Sequence, residues 1–94
     1  MPVIHKLTES YKLWQGFQQH LSKTAKYTIG VKIDELFLII IELAINAQKV
    51  SSNRKLDIIE RACLKVDLLK LLLRTAWEIK YIDNKKYIAI SDPL

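Results

Sequence analysis

From Ile29 to Val50 the apolar positions Ile29, Ile33, Leu36, Ile40, Leu43, Ala47 and Val50 are separated by steps of 4, 3, 4, 3, 4 and 3. This is an unbroken heptad seam, and a seam held over three heptads predicts a helix despite the β-branched run Ile39-Ile40-Ile41. Phe37, Leu38, Ile39, Ile41, Ala44 and Ile45 extend the apolar surface most of the way round. Only Glu35, Glu42, Asn46 and Lys49 form a polar stripe. A helix so apolar is covered from several sides, so the rest of the chain is expected to pack around it. A membrane span is the rival reading. The longest uninterrupted apolar run, Leu36 to Ile41, is far short of the roughly 20 residues a bilayer requires, so no span is expected.

Two further helices follow from the same spacing. Ile4, Leu7, Tyr11, Trp14, Gln18 and Leu21, with Phe17 beside them, predict a helix over Val3–Ser22. Lys6, Glu9, Lys12 and Gln19 fill its outer face. Ser22 to Tyr27 reads as a connection, with Thr28 as N-cap of the central helix. Gly30 in its first turn costs about 1 kcal/mol of helix propensity, which implies a close approach there or a tolerant helix end. Ser51, Ser52 or Asn53 can cap a third helix over Arg54–Ile82. Its seam is Ile59, Ala62, Val66, Leu69, Leu73 and Ala76, and Leu64, Leu68, Leu71, Leu72, Ile79 and Ile82 make a second apolar side. Asp83-Asn84 is a break and a cap, after which Lys85 to Ile90 has room for a helical turn or two. The reading is all-α: one domain over residues 1–94, an up-and-down bundle of the four-helix type with its fourth helix short or missing. The apolar sides of the second and third helices are wider than one hairpin and the first helix cover. Either a fourth helix or other subunits must cover the remainder, and a homo-oligomer is expected.

Composition adds little to this frame. Half of the residues are apolar, and two Gly and two Pro suit a helical chain with few turns. The net charge of +5 is compatible with a polyanionic partner and also with plain solubility. Cys63 is the single cysteine, so no internal disulfide forms, and no apolar leader is visible at the N-terminus. A cytoplasmic protein is expected.

The stretches KTAKYTIGVKIDELFLIIIELAINA and LDIIERACLKVDLLKLLLRTAWEIKYIDNKKY resemble the Avd-like four-helix bundle proteins. That family is named for the accessory variability determinant of diversity-generating retroelements. Its pattern has a Lys, then an aromatic residue, Thr, Ile or Leu, and Gly leading into the second helix. Here these are Lys23 and Tyr27-Thr28-Ile29-Gly30. Ile33-Asp34, Ala44 and Ala47, the run Lys65-Val66-Asp67-Leu68-Leu69-Lys70, and Asp83-Asn84-Lys85-Lys86-Tyr87 follow in the family's order. The resemblance spans about Ile4 to Tyr87. Family members continue through a full fourth helix with a Gly-Gly-Trp-type ending, and this chain stops at Leu94 without it. The resemblance implies a barrel-like homo-oligomer of bundles, pentameric in the type member. It also implies a basic surface that binds RNA or DNA, and a reverse transcriptase partner.

The residues themselves offer no catalytic constellation, and neither a cofactor nor a metal is expected. His5 and His20 lie fifteen residues apart on one helix and cannot share a metal within it. Glu35 and Glu42 are two turns, roughly 10 Å, apart and read as a solvent stripe. Cys63 reads as a small packing residue. In an up-down bundle the first connection and the end of the third helix share one end. That end collects Lys23, Lys26, Lys80, Lys85 and Lys86, the first-choice nucleic-acid-binding residues. Lys70 and Arg74 are second choice, because Asp67 and Glu78 partly neutralise them. The other end gathers Lys6, Lys49, Arg54 and Lys55. Lysines at helix ends also complement the helix dipole, so the charge alone leaves two readings open. One is a non-enzymatic nucleic-acid-binding accessory of a reverse transcriptase. The other is a helical scaffold that only self-associates or holds another protein.

Overall fold

The structure, a computed structural model, describes residues 2–92 and 94. Among these residues all regular structure is helical, with no strand: α1 Pro2–Gln18, α2 Lys23–Ala25, a π-helical turn Lys26–Gly30, α3 Val31–Lys49, α4 Ser52–Glu78 and α5 Asn84–Ser91. The fold is the expected all-α bundle. α2, the π turn and α3 follow one another without a break, so the chain forms four helical arms.

The arms alternate in direction. Tyr11 packs on Phe37 and Gln15 reaches Asp34, so α1 and α3 are antiparallel. Lys86 lies over Phe17 and Ser10 bonds the carbonyl of Ile90, so α5 runs antiparallel to α1. α3 packs on α1 and α4, and α5 packs on α1 and α4, which puts α5 and α3 at diagonal corners. The core at the centre holds Trp14, Ile33, Leu36, Phe37, Ile40, Leu69, Leu73 and Ile90. Each such side chain contributes about 1.5–3 kcal/mol by leaving water. Ser10, the one buried polar residue among those described, donates its hydroxyl to the Ile90 carbonyl at 2.9 Å and so satisfies a helix-end acceptor.

Several boundaries differ from those expected. The first helix stops at Gln18, not Ser22, because Ser22 takes an extended conformation and its hydroxyl accepts the Ala25 N–H at 3.2 Å. Ser22, not Thr28, therefore caps the central arm, which begins at Lys23. The Thr28 hydroxyl donates instead to the Thr24 carbonyl, one turn back. The close approach implied by Gly30 is intrachain. A Cβ there would sit 3.0 Å from the Ala25 carbonyl oxygen and 3.5 Å from Leu21 Cδ1, because the π turn carries that carbonyl under the glycine. The third arm starts at Ser52 and ends at Glu78, four residues before Ile82. Lys80 turns into the left-handed region at φ 66°, and the amides of Lys80 and Tyr81 close onto the carbonyls of Trp77 and Ala76.

α5 is the short fourth helix. Asp83 caps it by accepting the Lys86 N–H at 2.8 Å. Trp77 fixes it to α4: its ring stacks on Tyr87 with centroids 5.1 Å apart, and its indole N–H donates to Asn84. Eight residues reach only about 12 Å, against about 40 Å for the 27 residues of α4. α5 thus fills its corner only at the end where α1 stops and α4 ends, here called the upper end. Below it lies an apolar groove between α1, α3 and α4. Ile59, expected in the seam of the third arm, is 42% exposed because it lines this groove.

Candidate nucleic-acid interface

The upper end is where the first-choice lysines stand, and local structure explains why they stay accessible. Lys23 opens α2 and Lys26 opens the π turn, both in the column of α3. Lys80 sits in the left-handed turn after α4, and Lys85 and Lys86 lie in the first turn of α5. Three of the five, Lys23, Lys80 and Lys85, are exposed, and none of the five takes part in an ion pair among the described residues. Lys26 and Lys86 are half-buried by their stems or neighbours, and the Lys86 ammonium lies 5.5 Å from the centre of the Phe17 ring.

Lys85 and Lys86 stand at the corner of α5, with Lys80 in the turn that leads to it from α4, whereas Lys23 and Lys26 belong to the corner of α3, which is diagonal to α5 and adjacent to α4. Neighbouring helix axes lie about 8–10 Å apart, so the diagonal is roughly 11–14 Å. The five form two groups across one end, not a single tight patch. A polyanion can bridge such groups; a single small anion cannot.

The carboxylates near this end are occupied. Asp83 caps α5, Glu78 holds the Arg74 guanidinium at 2.9 Å, and Asp34 accepts from Gln15 at 2.6 Å. Gln15 also donates to the Tyr11 hydroxyl at 2.8 Å. Burial pushes the Tyr11 phenol above its usual range, and the neighbouring Asp34 carboxylate pushes it further.

The second-choice pair divides. Arg74 is spent on Glu78, while Lys70 is exposed with no bridge to Asp67 among the described residues. Lys70 is about 15 Å down α4 from Lys80. Two residues missed in the sequence join Lys86 instead. Lys12, which is paired with Glu9 at 3.4 Å, and His20 line the same surface hollow, together with Leu13, Gly16 and Phe17. Lys12 lies on α1 and His20 in the turn after it, and periodicity alone does not say which helix faces them there. Of the tyrosines near these lysines in sequence, Tyr27 is freely exposed, Tyr81 is half-buried and Tyr87 is used in the stack on Trp77.

His5 and His20 lie toward opposite ends of α1, and no group of three or more His, Cys, Asp or Glu among the described residues is placed to hold a metal. No helix among the described residues is long and apolar enough to cross a membrane. Compared with protein-family models, curated proteins and solved structures, the chain matches none.

Proposed function

We propose that this chain is a non-catalytic accessory protein that binds nucleic acid through its upper end. In this reading it works in the cytoplasm beside the reverse transcriptase of a diversity-generating retroelement, as its resemblance to the Avd-like family implies. The observation that carries the reading is the set of five lysines at one end, unpaired while the carboxylates around them are held by other groups. Lysines so placed release counterions from phosphates and read little sequence. Self-association, five-fold in the family's type member, would repeat both lysine groups around a ring and add avidity without a strong single site.

The test is to change Lys23, Lys26, Lys80, Lys85 and Lys86 to Glu together and titrate RNA and duplex DNA across a salt series. Each lost phosphate contact should remove about 0.9 from the log–log salt slope on duplex DNA. Binding that persists with the same slope would reject the interface. If the unmodified protein binds neither nucleic acid at low salt, the scaffold reading replaces it. That second reading has its own support. Leu64, Leu68 and Leu71 follow at i, i+4 and i+7 on α4 and are 70%, 36% and 58% exposed. An apolar stripe of this kind suits contact between copies.

A further inference from the structure

The groove beneath α5 is the least explained part of the surface. It has a volume of about 500 Å³. Its floor is Ile40, Ala44 and Ala47 of α3 with Ala62 and Val66 of α4, and α1 closes one side through Ile4 and Leu7. Leu94 stands at its upper limit. The three alanines leave room for another backbone to come close. The lining also includes two lysines, Lys6 on α1 and Lys55 on α4, and no Asp or Glu among the described residues. On that stretch of α4 neither Asp57 nor Glu60 lines the groove, and Asp57 is paired with Arg61 at 3.4 Å.

We propose that this groove receives an amphipathic helix of a protein partner, with its apolar stripe on the alanine-rich floor and acidic residues flanking the stripe toward Lys6 and Lys55. Three features fix that chemistry. The groove continues the column that α5 occupies above, so three helices already present the walls of a fourth-helix site. Its floor is apolar and its rim cationic, which selects an acidic amphipathic helix over a basic one. It is also a trough and not an enclosed cavity, since Ile59, Cys63, Lys6 and Lys55 are all exposed. A small ligand needs most of its surface covered, and a trough covers one side, which is what a helix offers. The site is at the end opposite the upper lysines, so it does not depend on nucleic-acid binding.

Cys63 supplies a reporter, because it is the chain's single cysteine, is free and exposed, and lines the groove. The probe is a fluorescein-labelled peptide of about 14 residues, roughly 20 Å as a helix. It carries Leu at alternating 3 and 4 spacing and Glu on both flanks; a twin peptide carries Lys in place of Glu. The Glu peptide should bind by anisotropy and slow alkylation of Cys63 about tenfold at saturation, equivalent to about 1.4 kcal/mol of protection. The double variant Lys6→Glu, Lys55→Glu changes only exposed side chains. It should weaken the Glu peptide about three- to tenfold, the range of two exposed ion pairs, and favour the Lys twin instead. Equal affinity of the Glu peptide for both proteins, or binding without protection of Cys63, overturns the proposal. Shielding of Cys63 that grows with protein concentration alone assigns the groove to a second copy, and shielding by oleate but not by the peptide assigns it to a small amphiphile. Either result also overturns it.

Discussion

Ile33 and Ile40 are a matched pair for measuring what the short fourth helix does to the core. Both lie on the α3 seam, two turns apart, and are 0% and 1% exposed. Replacing either by Ala removes three carbons, a transfer loss of about 2.4 kcal/mol at about 0.8 per carbon. The two sites differ in what happens next. Ile33 is in the upper core, and a void left there stays closed and adds about 24 cal/mol for each Å³ that does not collapse. Ile40 lines the groove, so its void merges with open space that water already reaches. Ile33→Ala should therefore cost about 3–5 kcal/mol and Ile40→Ala about 2–3, both within the range for such truncations. The assay is urea denaturation followed by far-ultraviolet circular dichroism, with slopes compared to confirm that the unfolded states match. A loss at Ile40 below about 0.5 kcal/mol, the size of surface changes, would mean the seam faces solvent. A loss at Ile40 greater than at Ile33 would refute the open groove.

Gly30→Ala sets two effects against each other: helix propensity favours Ala by about 1 kcal/mol, while the new Cβ meets the Ala25 carbonyl at 3.0 Å. Ala25 is fully buried and cannot retreat freely, so denaturant midpoints should show a net loss of up to about 2 kcal/mol, and a net gain would mean that the π turn relaxes to a regular helix. Lys80→Gly should raise stability by about 1 kcal/mol, since φ 66° strains any residue with a Cβ, yet weaken nucleic-acid binding in a titration. Unchanged binding would remove Lys80 from the interface. Tyr11 has a folded pKa raised above its unfolded value, so the fold favours the protonated phenol. Its contribution is complete below pH of about 10 and is lost as pH rises past that point through the folded pKa. Denaturation of the wild type and Tyr11→Phe across pH 8 to about 11 should show the steeper loss in the wild type, and parallel curves would dismiss the shift.

The heptad spacing made the buried side of α3 legible along its length and misled on α4 beside the groove. Ile33, Leu36, Ile40 and Ala47 are buried as the α3 seam requires. Ile59 obeys the same rule on α4 and is exposed, because periodicity says which side faces inward and not whether anything stands opposite. Gly30 signalled a close approach without naming its partner, since a π turn has no residue signature of its own. α4 ends four residues before its apolar pattern does, because Lys80 holds a left-handed position that usually carries glycine. For the lysines, alternation of the helices was enough to place all five at one end. Their division into two groups depends on which corner α5 takes, and that rests on the stack of Trp77 on Tyr87 and on Lys86 over Phe17.

The three surfaces without a described partner lie on different parts of the bundle: the upper lysines, the α4 stripe and the lower groove. Lys55 and Glu78, the last residue of α4 before the turn that holds Lys80, are separated by 23 residues, or roughly 34 Å, well beyond the distance at which substitutions usually couple and beyond the Debye length in physiological salt. Reversing charge at one end should therefore leave the other unaffected. The stripe is different, because it runs between the ends on the long helix that both share. If copies associate through it, the lysine groups multiply and nucleic-acid affinity becomes dependent on protein concentration, whereas the groove, lined within one chain, keeps its intrinsic affinity. Leu68→Glu then separates the cases. It places a charge on the stripe without touching either end, and it should lower nucleic-acid affinity and oligomer mass together while leaving peptide binding at Cys63 unchanged. Loss of nucleic-acid affinity with no change in mass by light scattering would show that the stripe contributes directly and that avidity is not the mechanism.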